Sequence, residues 1–212
     1  MFNTLLADDQ KLSLFITTNT NLFLTSNKNY KVFYPINNDS QNKKLGIGGF
    51  GFGAFVLKPM NKLINIKGYV EVNKQRFKEA PIILSDYSNV SQGVLNVLTS
   101  NYNFNLGVLG HLSFSKKFSF GVGVGSNILI LSRSKYFDLN NTVNTDGKFV
   151  IRNKNFKTFV PTIPLELQYT GKKMSYSIRF EKSLSNYYKN ELKEASTFKY
   201  SSLYFLVGYR IK

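Results

Sequence analysis

Cysteine and tryptophan are absent from the 212 residues, and histidine occurs once. Without cysteine there is no disulfide framework, no Cys-ligated zinc or cluster, and no thiol nucleophile. A single histidine excludes His-rich metal sites, and no zinc-ligand, paired-carboxylate or P-loop pattern takes their place. No metal and no cofactor is therefore expected. Acidic residues are few: 12 Asp and Glu stand against 28 Lys and Arg, for a net charge of +16. No window carries 18 apolar residues without polar interruption, which excludes a transmembrane helix. It does not exclude a membrane protein, because a spanning strand needs only about 9–11 residues of alternating character. Helical periodicity is also scarce, and short helical turns are expected only at Gln75 to Ala80 and Tyr187 to Ala195.

The N-terminus has no basic start and only a stub of an apolar run, so it lacks the form of a complete secretory signal. Met1 either opens a mature chain or begins the remnant of a signal ending in Leu5, Leu6 and Ala7; a frayed extension is the plain reading. We treat 1–10 as an N-terminal extension and 11–212 as one domain.

What is abundant is aromatic residues and glycine: 19 Phe, 13 Tyr and 15 Gly. They fall into period-two alternation, the mark of a strand with two unlike faces. It recurs eight times, near 11–24, 44–57, 62–73, 101–115, 117–132, 158–170, 173–184 and 198–211. The cleanest case sets Met174, Tyr176, Ile178 and Phe180 against Ser175, Ser177, Arg179 and Glu181. The last strand sets Leu203, Phe205, Val207, Tyr209 and Ile211 against Tyr204, Leu206, Gly208 and Arg210. Pro161 and Pro164 each remove a ladder donor from the sixth, where a bulge or a late start is expected. Tight turns at Lys58–Asn61, Ser115–Lys117 and Thr170–Lys173 interleave with long polar connections at 25–43, 74–100, 133–157 and 185–197. The pattern is an up-and-down meander with a plain end, which also holds both termini, and an elaborated end.

Volume decides which face is inside. The apolar face carries roughly forty large side chains, and an eight-stranded barrel has an interior only just wide enough for side chains to fill. A soluble lipocalin-type barrel needs that set inward and cannot hold it. Facing outward it is untenable in water but suited to a bilayer, where closure also satisfies the backbone polar groups. The expected fold is all-β: an eight-stranded antiparallel up-and-down transmembrane β-barrel. Tyr102, Phe114, Phe118, Tyr169, Tyr176 and Tyr209 sit near strand ends and form the expected interfacial girdle.

Three segments, Gly46–Gly53, Leu106–Ile130 and Leu203–Ile211, give the chain its family character. In them it resembles the small outer-membrane barrels of the OmpA/OmpX type and, within these, the PorT-like outer-membrane barrel family. The resemblance spans about 11–212 and implies an integral outer-membrane protein, with long loops extracellular and both termini periplasmic. Such barrels often end on an aromatic residue; here Tyr209 is the last one before Ile211 and Lys212.

Gly46, Gly48 and Gly51 spell a G-x-G-x-x-G, but strand alternation follows where a dinucleotide site needs a helix. Glycine there, and at Gly121–Gly125, reads as space for large lumen neighbours. His111 and Ser113 share a strand face with the spacing of the His-x-Ser of lipid A deacylases, yet no carboxylate to orient the imidazole can be assigned from the sequence. Six charged residues, Lys67, Glu71, Glu166, Arg179, Glu181 and Arg210, face the lumen by alternation. In so narrow a lumen opposite charges should pair, since an unpaired buried charge costs several kcal/mol. They read as a salt-bridge plug, with a gate or narrow ion path as the rival.

The positive charge lies in loops and turn pairs without a basic stripe or stacking face, which argues against nucleic acid. It suits anionic headgroups, lipopolysaccharide outside and phospholipid at Lys116, Lys117, Lys172 and Lys173. The expected function is non-catalytic: a structural or interaction barrel, an accessory subunit of a larger outer-membrane complex. The alternatives are a lipid A-modifying enzyme using His111 and Ser113, and a narrow pore.

Overall fold

The computed structural model describes residues 11–25, 48–85, 91–138, 150–152, 157–185 and 198–211. The extension 1–10 and the helical turn expected at 187–195 lie outside them. Nine strands are present: β1 (Lys11–Thr25), β2 (Gly49–Pro59), β3 (Ile64–Ser85), β4 (Ser91–Ser113), β5 (Phe118–Asp138), β6 (Val150–Arg152), β7 (Phe159–Thr170), β8 (Met174–Ser183) and β9 (Phe198–Arg210). No helix occurs among the described residues, and none is long and apolar enough to cross a membrane.

Every pairing is antiparallel, and sequence neighbours pair. β7 takes its place beside β5, while β6 is a three-residue ladder on β5, from Arg133↔Arg152 to Lys135↔Val150. The ring closes where β1 meets β9, from Ser13↔Arg210 to Thr25↔Phe198. Eight strands therefore form a closed barrel with no free edge around its girth. Closure is what lets every strand in the apolar zone pair its backbone on both sides.

The plain end holds three short turns. Asn61 Oδ1 accepts hydrogen bonds from the amides of Leu63 (2.9 Å) and Ile64 (2.8 Å), which moves the first turn to 60–63. Ser115 Oγ does the same for Lys117 and Phe118 at 3.2 and 3.0 Å. The Gly171 amide donates to the Met174 carbonyl at 2.8 Å. Both barrel termini lie here too, where the Ile211 amide donates to the Leu12 carbonyl at 2.9 Å.

The elaborated end differs from expectation. The stretch 74–100 is not one long loop: β3 runs to Ser85, β4 begins at Ser91, and they pair well beyond the last partner on β2. Gln75 to Ala80 is likewise strand rather than helical turn, with Gln75↔Asn101 through Glu79↔Val97 in register. The stretch 133–157 also contains strand, the end of β5 and β6. The lack of clean alternation hid these extensions, as in the consecutive Ile82, Ile83 and Leu84. Ladder bonds join backbones, so a hairpin outside the apolar zone needs no alternation to form.

The prolines act more quietly than expected. Between β5 and β7 the ladder lacks partners from Val122↔Leu165 to Gly125↔Thr162, but the register is unbroken on either side. β7 shows no bulge there. A register shift occurs instead between Tyr102 and Asn103, which pair with Leu131 and Leu129 and leave Ile130 as the extra residue. It reverses the facing of β5: Ile130 is exposed, while Ser132 and Ser134 turn inward.

Burial is inverted relative to a protein in water. Among the described residues thirty large apolar side chains are exposed and seven are buried, whereas twenty-seven polar or charged ones are buried. The seven include Phe15, Phe55, Tyr69, Leu109, Tyr204 and Leu206, which pack together in the lumen. By position along their strands, Phe15, Phe55 and Leu206 lie toward the turn end and asparagines and glutamines of β3 and β4 toward the other. The charged residues lie between.

Candidate functional site

The register explains how residues distant in sequence meet. His111 is opposite Gly121, Gly121 opposite Glu166, Glu166 opposite Arg179, and Arg179 opposite Tyr204. This row crosses five strands on the lumen face. Lys67, Tyr69 and Glu71 join it from β3, where alternation puts all three on the same side.

Two ion-paired groups result. Lys67 is paired with Glu166, and its Nζ also donates to Gln168 Oε1 at 3.2 Å. The same ammonium lies 4.1 Å from the centroid of the Phe55 ring. Arg179 is paired with Glu71, and its Nε lies 2.9 Å from Glu181 Oε1. Glu71 accepts further from Thr17 Oγ1 at 2.9 Å and Asn73 Nδ2 at 3.3 Å. Tyr69 donates its hydroxyl to Glu181 Oε1 at 2.8 Å. The Arg179 guanidinium lies over two rings, 4.3 Å from the centroid of Tyr69 and 4.7 Å from that of Tyr204, so cation–π attraction adds to the charge contacts. Lys67, Glu71, Glu166, Arg179 and Glu181 are each no more than 1% exposed.

Above the ionic layer, amides continue the seal. Gln75 Nε2 and Asn105 Nδ2 donate to the Tyr204 hydroxyl at 3.1 and 3.3 Å, and Asn103 Nδ2 donates to Gln75 Oε1 at 3.0 Å. The lumen is thus crossed by charges, rings and amides in hydrogen-bonding contact.

Five of the six lumen charges expected from alternation meet in this cluster. Arg210 does not. It is half-buried at the turn-end rim, where its Nη1 donates to the Lys172 carbonyl at 3.2 Å, because its place on β9 is three lumen-facing steps below Tyr204. Sequence reasoning missed Tyr69 and Tyr204 as members. Their signal was parity: Tyr69 lies between Lys67 and Glu71 on one face, and Tyr204 is on the inward face of β9.

Glycine makes room for this packing. A Cβ at Gly107 would fall 2.6 Å from the Tyr69 ring, and one at Gly121 would fall 2.5 Å from His111 Nε2. The residues Gly48 to Gly51 run directly into β2, with no helix to complete a dinucleotide site.

His111 and Ser113 hydrogen-bond to different partners. His111 is buried, and its Nδ1 is 3.1 Å from Ser119 Oγ; Ser113 Oγ instead accepts from Asn65 Nδ2 at 3.0 Å. His111 Nε2 has no hydrogen-bond partner among the described residues, so the group that would orient a catalytic imidazole is missing there. No group of three or more potential metal ligands occurs among the described residues.

On the outside, four of the girdle aromatics form a continuous belt over neighbouring strands. Phe114 stacks on Phe118 at 6.1 Å, Phe118 meets Tyr169 at 5.0 Å, and Tyr169 meets Tyr176 at 6.3 Å. Tyr209 is exposed at the same end, next to the rim. Tyr102 stands apart, half-buried, with Lys74 Nζ 5.1 Å from its ring. Twelve positions separate Tyr102 from Phe114, which stands one residue past the end of β4. At ~3.3 Å per residue and a tilt of ~40°, that is about 30 Å along the barrel axis, enough to cross a hydrocarbon core.

A closed antiparallel ring of eight strands, apolar outside and packed with polar side chains inside, defines the class of small outer-membrane-type β-barrels. No protein-family model matches the chain, and no curated sequence matches it. Among solved structures it is similar to Ail, the attachment invasion locus protein of Yersinia pestis, at 10% identity over 95% of this chain and 97% of that one, TM-score 0.46. It is also similar to Neisserial surface protein A, at 8% identity over 93% and 96% of the two chains, TM-score 0.48. The outer-membrane protease OmpT of Escherichia coli is similar at 7% identity over 95% and 94%, TM-score 0.39.

Proposed function

We propose that this chain is a non-catalytic, non-conducting barrel of the outer membrane, a structural or interaction protein that serves as an accessory subunit of a larger outer-membrane complex. The observation that carries the reading is the buried cluster of Lys67, Glu166, Arg179, Glu71 and Glu181 in the narrow lumen, with the Arg179 guanidinium against the Tyr69 and Tyr204 rings. A barrel of this strand number has little interior to spare, and charges so closely paired leave no hydrated path. The separate hydrogen-bond partners of His111 and Ser113 speak against lipid-modifying chemistry at that pair. Its partners are outer-membrane lipid, lipopolysaccharide at the long-connection end, and a membrane protein met through the elaborated end or the outer face. The long connections face outside and the termini the periplasm. The glycine-aromatic start of β2 and the terminal strand β9 support placement within the PorT-like family.

Planar-bilayer recording tests the sealed lumen. The wild-type barrel is expected to show no discrete conductance steps, and reproducible steps would replace the plug with a pore. Gentle detergent extraction of native envelopes, followed by mass spectrometry, tests the accessory role: a stoichiometric membrane partner supports it, and a lone barrel with bound lipid removes it.

A further inference from the structure

The turn end carries a charge asymmetry that the sealed lumen does not use. The first turn region exposes Lys58 and Lys62, and the other two expose Lys116, Lys117, Lys172 and Lys173. Lys11 and the half-buried Arg210 continue the series where the ring closes between β1 and β9. Among the described residues no Asp or Glu lies at this end: Glu71, Glu166 and Glu181 are in the lumen, and Glu79 and Asp138 belong to the opposite end. Nor does any of these basic groups pair with a carboxylate among the described residues.

The ring stands at a defined height. Lys116 and Lys117 lie between Phe114 and Phe118, Lys172 and Lys173 between Tyr169 and Tyr176, and Arg210 follows Tyr209. Those aromatics are the interfacial belt, so each basic residue begins within a few residues, about 3–10 Å of extended chain, of the hydrocarbon edge. From there a four-carbon stem carries an ammonium to phosphate level. A positive ring at that height, with no carboxylate among the described residues to neutralise it, complements a negatively charged leaflet.

We infer that this basic ring is a docking surface for anionic phospholipid headgroups in the leaflet facing the turn end. The inference rests on the reading of the chain as a membrane-spanning barrel. It goes beyond that reading by naming the lipid class and the residues that select it. The belt holds the acyl region and the ammonium groups hold the phosphates, so that the barrel carries a shell enriched in anionic lipid at one end.

The test uses the whole chain folded into phosphatidylcholine vesicles containing a minority of phosphatidylglycerol. Spin-labelled phosphatidylglycerol and phosphatidylcholine report which lipid is held at the protein surface. Wild type is expected to hold phosphatidylglycerol about fivefold more strongly, with the preference fading near ~1 M salt. Changing Lys116→Gln, Lys117→Gln, Lys172→Gln and Lys173→Gln together is expected to bring the ratio close to parity, whereas the matching Lys→Arg set keeps it. Should the Gln set not fold, the Arg set and the salt dependence of wild type decide. Absence of a preference, or one untouched by the Gln set, overturns the inference while leaving the barrel intact. Failure to insert into these vesicles would instead remove the membrane-spanning reading beneath it. Lysines that react freely in phosphatidylglycerol vesicles but are protected in native envelopes would assign the ring to an acidic protein, and that too overturns it.

Discussion

Arg179 joins charge and packing most tightly. It faces Glu71 and Glu181 and lies over both the Tyr69 and the Tyr204 ring. Arg179→Met should leave two carboxylates buried without their cation and cost about 3–5 kcal/mol. Arg179→Lys should recover little of this, because an ammonium lacks the flat face that both rings meet. Urea midpoints of the barrel in vesicles measure both, and a Lys variant equal to wild type would discount the ring contacts. Glycine supplies a second residue-scale test. Gly107→Ala pushes a Cβ to 2.6–2.7 Å from three atoms of the Tyr69 side chain, which is buried and bonded to Glu181. A loss of about 1–3 kcal/mol is expected from overpacking. At Gly68 nothing lies within 4 Å of an added Cβ, and Gly68→Ala should be close to neutral in the same assay.

Strands β3 and β4 continue past the point where β2 stops, pairing from Arg76↔Ser100 to Ser85↔Ser91 with two register shifts. A backbone ladder predicts slow amide hydrogen exchange at the bonded positions among 77–79 and 97–99, although this part stands beyond the barrel's last β2 contact. An unpaired loop would exchange at once, so uniform fast exchange over both segments would return 74–100 to a loop. The same segments show why element ends were illegible. Residues 75–80 carry Arg, Lys and Glu, which favour helices, and nothing in their polarity marks a face. Pairing with β4 overrides that local preference, and only the partner strand reveals it.

At the scale of the molecule, the inverted burial separates a membrane barrel from a soluble one. Val124 is 68% exposed on β5, six residues above Phe118. That is about 15 Å along the axis, near the middle of a bilayer. Val124→Arg should therefore destabilise the folded barrel by about 2–4 kcal/mol in vesicles, the cost of a cation at the bilayer midplane. In a water-soluble barrel the same change would be neutral, so an unchanged urea midpoint would sink the membrane reading. The closed ring makes this cost unavoidable: β1 is held between β2 and β9, and no strand can turn its apolar face away without reversing its register.

The alternation of Met174 to Glu181 and of Leu203 to Ile211 was enough, with the chain length, to determine an eight-stranded barrel and which face meets lipid. Side-chain parity is a local property, and the interior volume of eight strands is a fixed geometric quantity. The same parity sent Lys67, Glu71, Glu166, Arg179 and Glu181 inward. Tertiary structure alone decided who meets whom, because partners in a barrel depend on the stagger between strands. That stagger sets Glu166 opposite Arg179, yet pairs Glu166 with Lys67 and Arg179 with Glu71 across the lumen, while Glu181 meets Arg179 from two positions along the same strand. It also brought Tyr69 and Tyr204 to one guanidinium, left Arg210 at the rim, and gave His111 and Ser113 separate partners, Ser119 and Asn65.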